Sequence, residues 1–326
     1  SSEVTALAEA VSASRAKDSP EGAAVDATLG SAFDGNEPPL PAAPTLDELV
    51  PAGVSYLNPV ESARAATALG LTPEQLVEKL VDKAKSFARP GISGVQWSVG
   101  AAALGDSGAI YLAGNIEIKG MPYNQSIHAE QAVTVHAMTR GETGLAVMAL
   151  SAVPCGHCRQ FLNELASRGN LRLLVRGQAP MTFTSLLMNP YGTKGALLTP
   201  RPDNELTAPA RPVGVSKDLF VAALQAAAKS PSFYQPAGIA LKTKSGKIYT
   251  GSYVQVAGAN PSVSSLQAAL VTLALDQGDI SDIENAFLIE LRSSNASERA
   301  LTRLLLRSAA PQARFRFALT DKAPQR

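Results

Sequence analysis

Between residues 59 and 89, apolar residues recur every three or four positions. Residues 59–89 therefore predict a pair of helices, and the apolar residues of the second one run from Leu76 to Ala84. Thr72 and Pro73, at the start of that helix, are the residue types that cap a helix and open its first turn. The sequence predicts that two short helices precede the first strand.

Strands and helices are then predicted in alternation, which is typical of an α/β fold. A β-hairpin comes first, with strands at 97–104 and 109–113 joined by a Gly-Asp-Ser-Gly turn. A helix at 129–139, a buried strand at 146–153, a helix at 155–166 and a strand at 171–175 follow. The last three of these form a βαβ unit.

The second half of the chain repeats the first. Ser245–Tyr249 repeats the Ser-Gly-x-Ile-Tyr pattern of Ser107–Tyr111. Gly251 repeats Gly114, and carrying that register forward puts Ser265 where His128 stands; the register can slip by one residue. Strands are predicted at 286–291 and 314–319, with a helix at 297–307 between them. Because no cysteine follows Cys158, we interpret this half as a degenerate copy kept for packing and assembly.

Composition divides the chain into four parts. Residues 1–55 are a low-complexity extension in which 4–13 could form a short helix and 35–41 is a linker. The segment is poor in Arg and does not match a transit peptide well, although it could remain from one, and we expect no chemistry there. The predicted parts after it are a catalytic domain at 56–195, a Pro-rich linker at 196–215 and the degenerate domain at 216–326.

Two short segments carry the candidate chemistry, one with His128 and Glu130 and the other with the only two cysteines, Cys155 and Cys158. Two thiolates and one imidazole are three of the four ligands of a tetrahedral zinc ion that keeps one position for water. Glu130 is near enough to exchange protons with that water without binding the metal. H-x-E followed by P-C-x-x-C is the signature of zinc deaminases of cytosine and adenine.

Other interpretations of these residues stay open. Cys155 and Cys158 could form a disulfide or a redox pair, since C-x-x-C is shared by redox and structural zinc sites. A structural zinc ion would need a fourth protein ligand, and His157 lies between the cysteines on an unsuitable face. We interpret His136 as an ordinary, partly buried side chain of the helix at 129–139.

Charge excludes some classes of partner. The chain has 29 Lys and Arg against 28 Asp and Glu, and it lacks the basic footprint of a nucleic-acid binder. No run of 18 apolar residues predicts a membrane span. Two cysteines needed as ligands fit a reducing compartment. We therefore expect a cytosolic protein that acts on a small molecule, with no membrane and no nucleic-acid partner.

At these residues the chain resembles the cytidine deaminases, specifically the long homodimeric type of bacteria and plants. The resemblance rests on SIHAEQ at 126–131, PCGHCRQF at 154–161 and WSVGAAALGDSGAIYLAGNIE at 97–117, and it covers 56–326. It implies a three-layer α/β/α fold with a mixed sheet, duplicated in the chain. It also implies one Zn²⁺ per chain and a homodimer whose second domains help to close the catalytic pockets.

The resemblance also implies how a nucleoside is held. Asn115 and Glu117 stand where the family binds the ribose hydroxyls, and Trp97 stands where an aromatic ring packs against the nucleoside. The family usually has Phe there after a shorter lead-in, so Trp97 alters this side of the pocket. Tyr191 corresponds to an aromatic residue near the active site. The backbone at Ala129 is expected to hold the base edge.

The function that these residues and the resemblance indicate is hydrolytic deamination of cytidine and deoxycytidine to uridine and deoxyuridine in pyrimidine salvage. The metal lowers the pKa of its water from 15.7 toward about 7, and Glu130 moves the proton to N3. His157 and Arg159 are expected to soften the charge of the thiolates. The alternatives are a deaminase of RNA or single-stranded DNA and a catalytically inactive paralogue.

Overall fold

The computed structural model describes residues 43–91, 97–195, 197–232 and 234–323. The helix expected at 4–13, the linker at 35–41 and residues 92–96 of the lead-in before Trp97 lie outside these residues. Within the described part, no helix is long and apolar enough to cross a membrane.

Short helices begin the described part. Apolar periodicity predicts the two within residues 59–89, whereas the first, at 46–49, lies in the segment expected to be a low-complexity extension. The first elements are helix α1 (Leu46–Leu49), strand β1 (Tyr56–Leu57), helix α2 (Pro59–Ala68) and helix α3 (Pro73–Lys85). The hydroxyl of Thr72 accepts a hydrogen bond from the Gln75 amide, and the Gln75 side chain accepts one from the Thr72 amide. This reciprocal capping box confirms the predicted start of α3.

A mixed six-stranded sheet follows. Its strands are β1, β2 (Gly100–Gly105), β3 (Ile110–Gly114), β4 (Leu145–Leu150), β5 (Arg172–Val175) and β6 (Met181–Thr182). They lie in the order β1-β3-β2-β4-β5-β6, and only β4 and β5 pair in parallel. Helix α4 (Ala129–Thr139) joins β3 to β4, and helix α5 (Gly156–Leu162) joins β4 to β5.

Three predicted boundaries are wrong by several residues. The hairpin begins at Gly100 instead of Trp97, and β4 ends at Leu150 although the apolar run continues to an exposed Val153. Helix α5 ends at Leu162, because the chain turns at the next residues and Leu165 pairs with Leu197. Apolar patterning could not separate residues that face the core from residues that line a cleft.

The sheet has helices on both faces. Ala102, Ile110 and Leu112 pack against α3 on one face, while their neighbours Ala101, Tyr111 and Ala113 belong to the core beneath α4. This alternation follows from the two-residue period of a strand. Helix α4 is buried on nearly all sides, so it lies inside the molecule rather than on its surface.

The second half forms its own five-stranded mixed sheet with helices on both faces. Its elements are β7 (Leu206–Thr207), α6 (Lys217–Ala228), β8 (Ala237–Thr243), β9 (Ile248–Ser252), α7 (Ser265–Leu275), β10 (Ile283–Leu291), α8 (Arg299–Ala309) and β11 (Arg314–Lys322), with strand order β7-β11-β10-β8-β9. Strand β7 lies within the predicted linker and pairs with β11. The predicted duplicated α/β class is confirmed.

Equivalent glycines show that the two sheets repeat one plan. A Cβ atom on Gly100 would lie 2.6 Å from the Val81 carbonyl oxygen, and one on Gly238 would lie 2.1 Å from the Ala227 amide nitrogen. Both contacts are far closer than atoms allow, so a helix can cross each strand only where the strand has no side chain. Helix and strand therefore approach each other in the same way in both halves.

The register that the sequence suggested at the helix start is wrong by one residue. His128 is the N-cap of α4, and Ser264, not Ser265, is the N-cap of α7. The backbone amide of each donates a hydrogen bond to the side-chain oxygen of the glutamine three residues later, Gln131 or Gln267. The slip arises because the loops before the two helices differ in length, which the repeated strand motif does not reveal.

Helix α4 also buries His136, which is 2% exposed. Its Nδ1 lies 3.2 Å from the Leu112 carbonyl oxygen, and its ring meets Tyr111 edge to face. Burial lowers the pKa of His136 to about 4. It lies outside the group of possible metal ligands, but it is fully rather than partly buried.

Replacing His136 with Gln should make the free energy of unfolding less sensitive to acid. The folded protein takes up this proton only near pH 4, whereas the unfolded chain takes it up near the ordinary histidine pKa, about 6.5. Stability from neutral His136 is therefore complete above about pH 6.5 and falls as the pH drops toward 4, by about 2 kcal/mol at pH 5. Urea denaturation at pH 8 and pH 5 measures the difference, and parallel losses in both proteins would contradict it.

Candidate metal centre and adjoining pocket

The candidate residues meet at one edge of the first sheet because β3 and β4 both end there. Gly114, the last residue of β3, lies opposite Gly100, and Leu150, the last residue of β4, lies opposite Ala101. Both strands run antiparallel to β2, so they leave the sheet side by side. The segments after them carry Asn115 and the Pro-Cys-Gly-His-Cys turn to the same place.

The possible metal ligands stand at the starts of two helices. His128 is the N-cap of α4, Cys155 is the N-cap of α5, and Cys158 is in the first turn of α5. The positive end of each helix dipole points at these side chains and favours thiolate over thiol. The sequence predicted this placement at two helix N-termini, and the structure confirms it.

Distances among the three side chains fit a tetrahedral metal site. The ligand atoms of His128, Cys155 and Cys158 all lie within 4.8 Å of one another. Nδ1 of His128 is 3.5 Å from Sγ of Cys155. Metal bonds of about 2.0 Å to nitrogen and about 2.3 Å to sulfur, at the tetrahedral angle, give about 3.5 Å for this separation. The set therefore fits Zn²⁺, with a fourth position left over.

The two thiols differ in acidity because they face each other. Hydrogen bonds from Cys158 and then from His128 lower the pKa of Cys155 to about 3. The same hydrogen bond to Cys155, and then burial, raise the pKa of Cys158. The hydrogen bond to Cys155 is also the main cause that raises the pKa of His128. Zinc bound here would favour deprotonation of both cysteines, because its charge is the largest in the site.

Glu130 points its carboxyl group into the same place from the first turn of α4. It is 5% exposed, and burial raises its pKa above the ordinary carboxyl value. It does not belong to the group of possible metal ligands, although it contacts Cys158. A carboxyl group with these properties, next to a metal position and not coordinating it, can accept and return a proton.

The imidazole of His157 lies beside that of His128 and does not bond to the thiolates in this structure. The two rings are stacked with centroids 5.5 Å apart. Nε2 of His157 is 3.1 Å from the Gln131 side-chain nitrogen, which can only donate, so Nε2 accepts. Burial, then the charge of His128, lowers the pKa of His157. The structure thus shows contact of His157 with Gln131 and with the ring of His128, in place of the expected hydrogen bond near the thiolates.

Gln131 connects three parts of the molecule, and sequence analysis missed it. Its side-chain oxygen accepts from the His128 amide, and its nitrogen donates to Pro261 of the second half as well as to His157. The capping box of α4 is the only signal in the sequence for the first of these bonds. The other two join segments that are far apart along the chain.

Two further predicted residues lie away from the ligands. Arg159 donates to the carbonyl oxygens of Pro154 and Leu186, so it holds the turn before α5. Tyr191 is exposed and does not line the pocket described below; its backbone bonds to the Gln160 side chain. Within the described residues, the structure therefore does not bring Tyr191 to the site.

A cleft of about 400 Å³ opens beside the metal group and is mostly apolar. It is lined by Trp97, Val99, Asn115, Glu117, Tyr123, Ser126, Ile127, His128, Ala129, Glu130, Ala152, Val153 and Cys155. Every one of these residues comes from the first half of the chain. Its size lies in the range of about 300–1,000 Å³ that is usual for small-molecule sites.

Buried polar side chains mark one end of this cleft. Asn115 accepts from the Val99 amide at 2.8 Å and donates to the Trp97 carbonyl oxygen at 2.8 Å, so it braces the segment that carries Trp97. Glu117 accepts from the Gly91 amide at 3.2 Å. The Trp97 ring, 67% exposed, stands at the mouth. The structure thus brings together all three residues that sequence analysis assigned to this end.

Ser126 adds a group that the sequence did not indicate. Its buried hydroxyl is the single side-chain polar atom without a hydrogen-bond partner among buried atoms of the described residues. Buried polar atoms are nearly always paired. An unpaired hydroxyl in the lining of a cleft is therefore available to a molecule that enters it. A serine before a helix usually indicates only a cap or turn.

Comparisons with known proteins agree with this chemistry. Two family models match the chain, at residues 74–169 and 180–303, and both describe the cytidine and deoxycytidylate deaminase zinc-binding region. The second match covers the half that has no cysteine. Both halves are therefore deaminase-like, as the repeated sheets indicate.

Individual relatives and solved structures are cytidine deaminases as well. Those of Salmonella typhi and Salmonella enteritidis are each 40% identical over 227 residues, which cover 68% of this chain and 74% of the relative. The solved cytidine deaminase of Mycobacterium tuberculosis is 28% identical, covering 36% of this chain and 96% of that one, with a TM-score of 0.31. That of Burkholderia pseudomallei is 21% identical, covering 36% and 98%, also with a TM-score of 0.31.

Metal analysis should find one zinc ion per chain in the purified protein. Cys158→Ala and His128→Ala should each lose it, because two remaining ligands hold zinc far more weakly than three. His136→Gln is the matched control: it also removes a buried imidazole of α4 and should keep its zinc. Two zinc ions per chain, or full zinc content in Cys158→Ala, would contradict the assignment.

Proposed function

The chain belongs to the cytidine deaminase family, and we propose that it hydrolyses the 4-amino group of both cytidine and deoxycytidine. Water is consumed, and ammonia is released with uridine or deoxyuridine. The observation that carries the proposal is the meeting of His128, Cys155 and Cys158 within 4.8 Å of one another, beside the cleft that His128, Cys155 and buried Glu130 line. This is the arrangement that a zinc deaminase of nucleosides needs.

Each residue of the site has a part in the proposed reaction. His128, Cys155 and Cys158 would hold the zinc ion, which when bound supplies a Lewis acid that lowers the pKa of water. Glu130 accepts a proton from the attacking water and delivers it to N3 of the base. It then assists the departure of the 4-amino group as ammonia. The raised pKa of Glu130 suits this exchange, because a group that both takes and gives a proton works best near the operating pH.

The other end of the cleft would hold the sugar. Asn115 and Glu117 are both buried in its lining, and an amide with a carboxylate can bond to neighbouring hydroxyls. The free hydroxyl of Ser126 offers a further hydrogen bond. The backbone at Ala129 would contact the base edge, and Trp97 would cover the nucleoside from the mouth. The proposed setting is pyrimidine salvage in the cytosol, where thiolate ligands stay reduced.

Glu130→Gln should separate metal binding from chemistry. The amide keeps the shape of the carboxyl group but cannot accept the proton, so kcat on cytidine should fall by at least ~10²–10⁴ while zinc content stays at one. Glu74→Gln, which changes a surface carboxylate paired with Arg172, should turn over cytidine normally. Near-normal kcat in Glu130→Gln would assign the proton transfer to another group.

Cytidine, deoxycytidine and a cytosine-containing single-stranded oligonucleotide should be assayed in parallel, and turnover of the oligonucleotide alone would overturn the nucleoside assignment.

We further propose that the active protein is a homodimer whose second domains help to close the clefts. The cleft within one chain is lined only by the first half, and Trp97, Tyr123 and Val153 at its mouth are exposed. Exposed aromatic and apolar side chains around a cleft are typical of a surface that another chain covers. Each chain contributes two similar domains, so a two-fold dimer of such chains contains four similar domains arranged like the subunits of a tetramer.

Sedimentation of the intact chain should report a mass near twice 33.9 kDa. Deletion of residues 216–326 should give an insoluble or inactive product although all zinc ligands remain, because the deletion uncovers α4 and removes the Pro261 partner of Gln131. A fully active monomer would contradict the proposal, and so would a soluble and fully active fragment of residues 1–215.

A further inference from the structure

A second cavity, of about 260 Å³, lies in the degenerate half and has no part in the proposed chemistry. The residues that line it are Asn124, Gln125, His157, Gln235, Ala237, Tyr253, Ala259, Asn260, Ser262, Ser264, Gln267, Glu290, Leu291, Ser294, Ala296, Ser297, Glu298 and Leu301. Its lining is more polar than apolar, in contrast to the cleft beside the metal group.

This cavity is the counterpart of the catalytic cleft in the repeated fold. Ser264 caps α7 as His128 caps α4. Tyr253 directly follows β9, as Asn115 directly follows β3. Glu298 is the N-cap of α8, the helix between β10 and β11, as Cys155 is the N-cap of α5. The second half therefore has other residues at the positions of these metal ligands and has a hollow at the corresponding place.

Carboxyl groups form the floor of the second cavity. The side chain of Glu298 accepts from the Ser265 amide at 3.0 Å and from the Ser265 hydroxyl at 2.5 Å, and burial raises its pKa to about 7. Buried Glu290 accepts from the Ser297 hydroxyl at 2.8 Å and pairs with Arg299. No lysine or arginine is among the described lining residues. Because Arg299 balances the charge of Glu290 and the lining itself offers no cation to hold an anion, this floor suits a neutral molecule that donates hydrogen bonds.

The walls supply neutral polar groups from both halves of the chain. Amides come from Gln235 and Asn260, and a phenol hydroxyl comes from Tyr253. The first half contributes Gln125, whose carbonyl oxygen accepts from Gln267 at 3.0 Å, and it also contributes His157. A hollow built by two tightly packed halves is preformed, so a ligand does not have to order it.

We propose that this second cavity binds one unphosphorylated pyrimidine nucleoside, the class of molecule that the proposed activity consumes and releases. The proposal rests on the proposed function for the choice of ligand class. The volume is below the usual lower limit of about 300 Å³ for ligand sites, so a purine nucleotide is too large. Hydroxyl and imide groups of such a nucleoside match the carboxyl, amide and hydroxyl lining, whereas a phosphate group does not.

The cavity also touches the catalytic centre through one side chain. His157 lines the second cavity, and its ring is stacked on that of His128. Gln131 holds His157 and the Pro261 carbonyl oxygen together, next to the loop that lines the cavity. A bound nucleoside would therefore rest against a residue that contacts a metal ligand.

Equilibrium dialysis of the zinc-loaded protein with radiolabelled uridine tests the proposal. The native chain should bind two equivalents, one in each hollow. Ala296→Trp places an indole in the second cavity and should bind one. Ala300→Trp adds the same ring on the exposed outer side of α8, outside the lining, and should bind two. Tyr253→Phe should weaken the second equivalent about tenfold by removing one hydrogen bond.

Further measurements separate the outcomes. Unlabelled uridine monophosphate should fail to displace the second equivalent. One equivalent in the native chain, two in Ala296→Trp with a native melting curve, or displacement by the monophosphate would each overturn the proposal. Cytidine turnover by the same native preparation is measured first: its absence refutes the proposed function, whereas full turnover with a single equivalent refutes only the second site.

Discussion

The site depends on one constraint: β3 and β4 must end at the same edge of the first sheet. Since both pair with β2, their last residues lie opposite Gly100 and Ala101, and the chain segments that follow cannot diverge. Residues 115–117, the start of α4 and the start of α5 are thereby held around one cleft. Neither helix alone could bring an imidazole within 3.5 Å of a thiol. The sheet supplies this accuracy, because backbone pairing fixes the position of both strand ends to a single residue.

The second half of the chain packs against the first half and stabilises the part of it that carries the site. Helices α4 and α7 share one apolar core, so each helps to bury apolar side chains of the other. Polar links cross the same boundary: Gln131 donates to Pro261, and the fully buried carboxylate of Glu164 accepts from the Ala257 amide at 2.7 Å. Removal of either partner would leave a buried polar group unpaired, which costs about 1–3 kcal/mol. The degenerate half is therefore part of the scaffold of the metal centre even where it contributes no ligand.

Duplication and loss of chemistry left different traces at different positions. Ser264 replaced the ligand at the start of α7 and kept its function as a cap. Leu266, two residues later, stands where the proton carrier stands in the first half and is buried in the core. Glu298 brought a carboxyl group to the position of the first cysteine. These replacements turned an apolar cleft with a metal group into a smaller polar cavity, and they explain why the halves differ in chemistry while their sheets match.

The sequence by itself determined the possible metal ligands, the carboxyl group proposed as proton carrier and the order of the elements. Residue types and spacing are enough for the site residues because each group belongs to a short segment, H-x-E or P-C-x-x-C, in which the residue type itself specifies the ligand atom or the carboxyl group. It also indicated the capping of α3 by Thr72 and the repeat of the hairpin. Tertiary structure decided where Val153 and Leu165 leave their predicted elements. Val153 lines the cleft, and in the sequence an apolar residue that faces a cleft looks like one that faces the core. Leu165 does face the core, but the chain has already left the helix and pairs with Leu197. Tertiary structure also decided that His157 binds Gln131, that Tyr191 is exposed, and that Ser126 is buried without a partner. These outcomes depend on contacts between segments 26 to 130 residues apart, which no local pattern encodes.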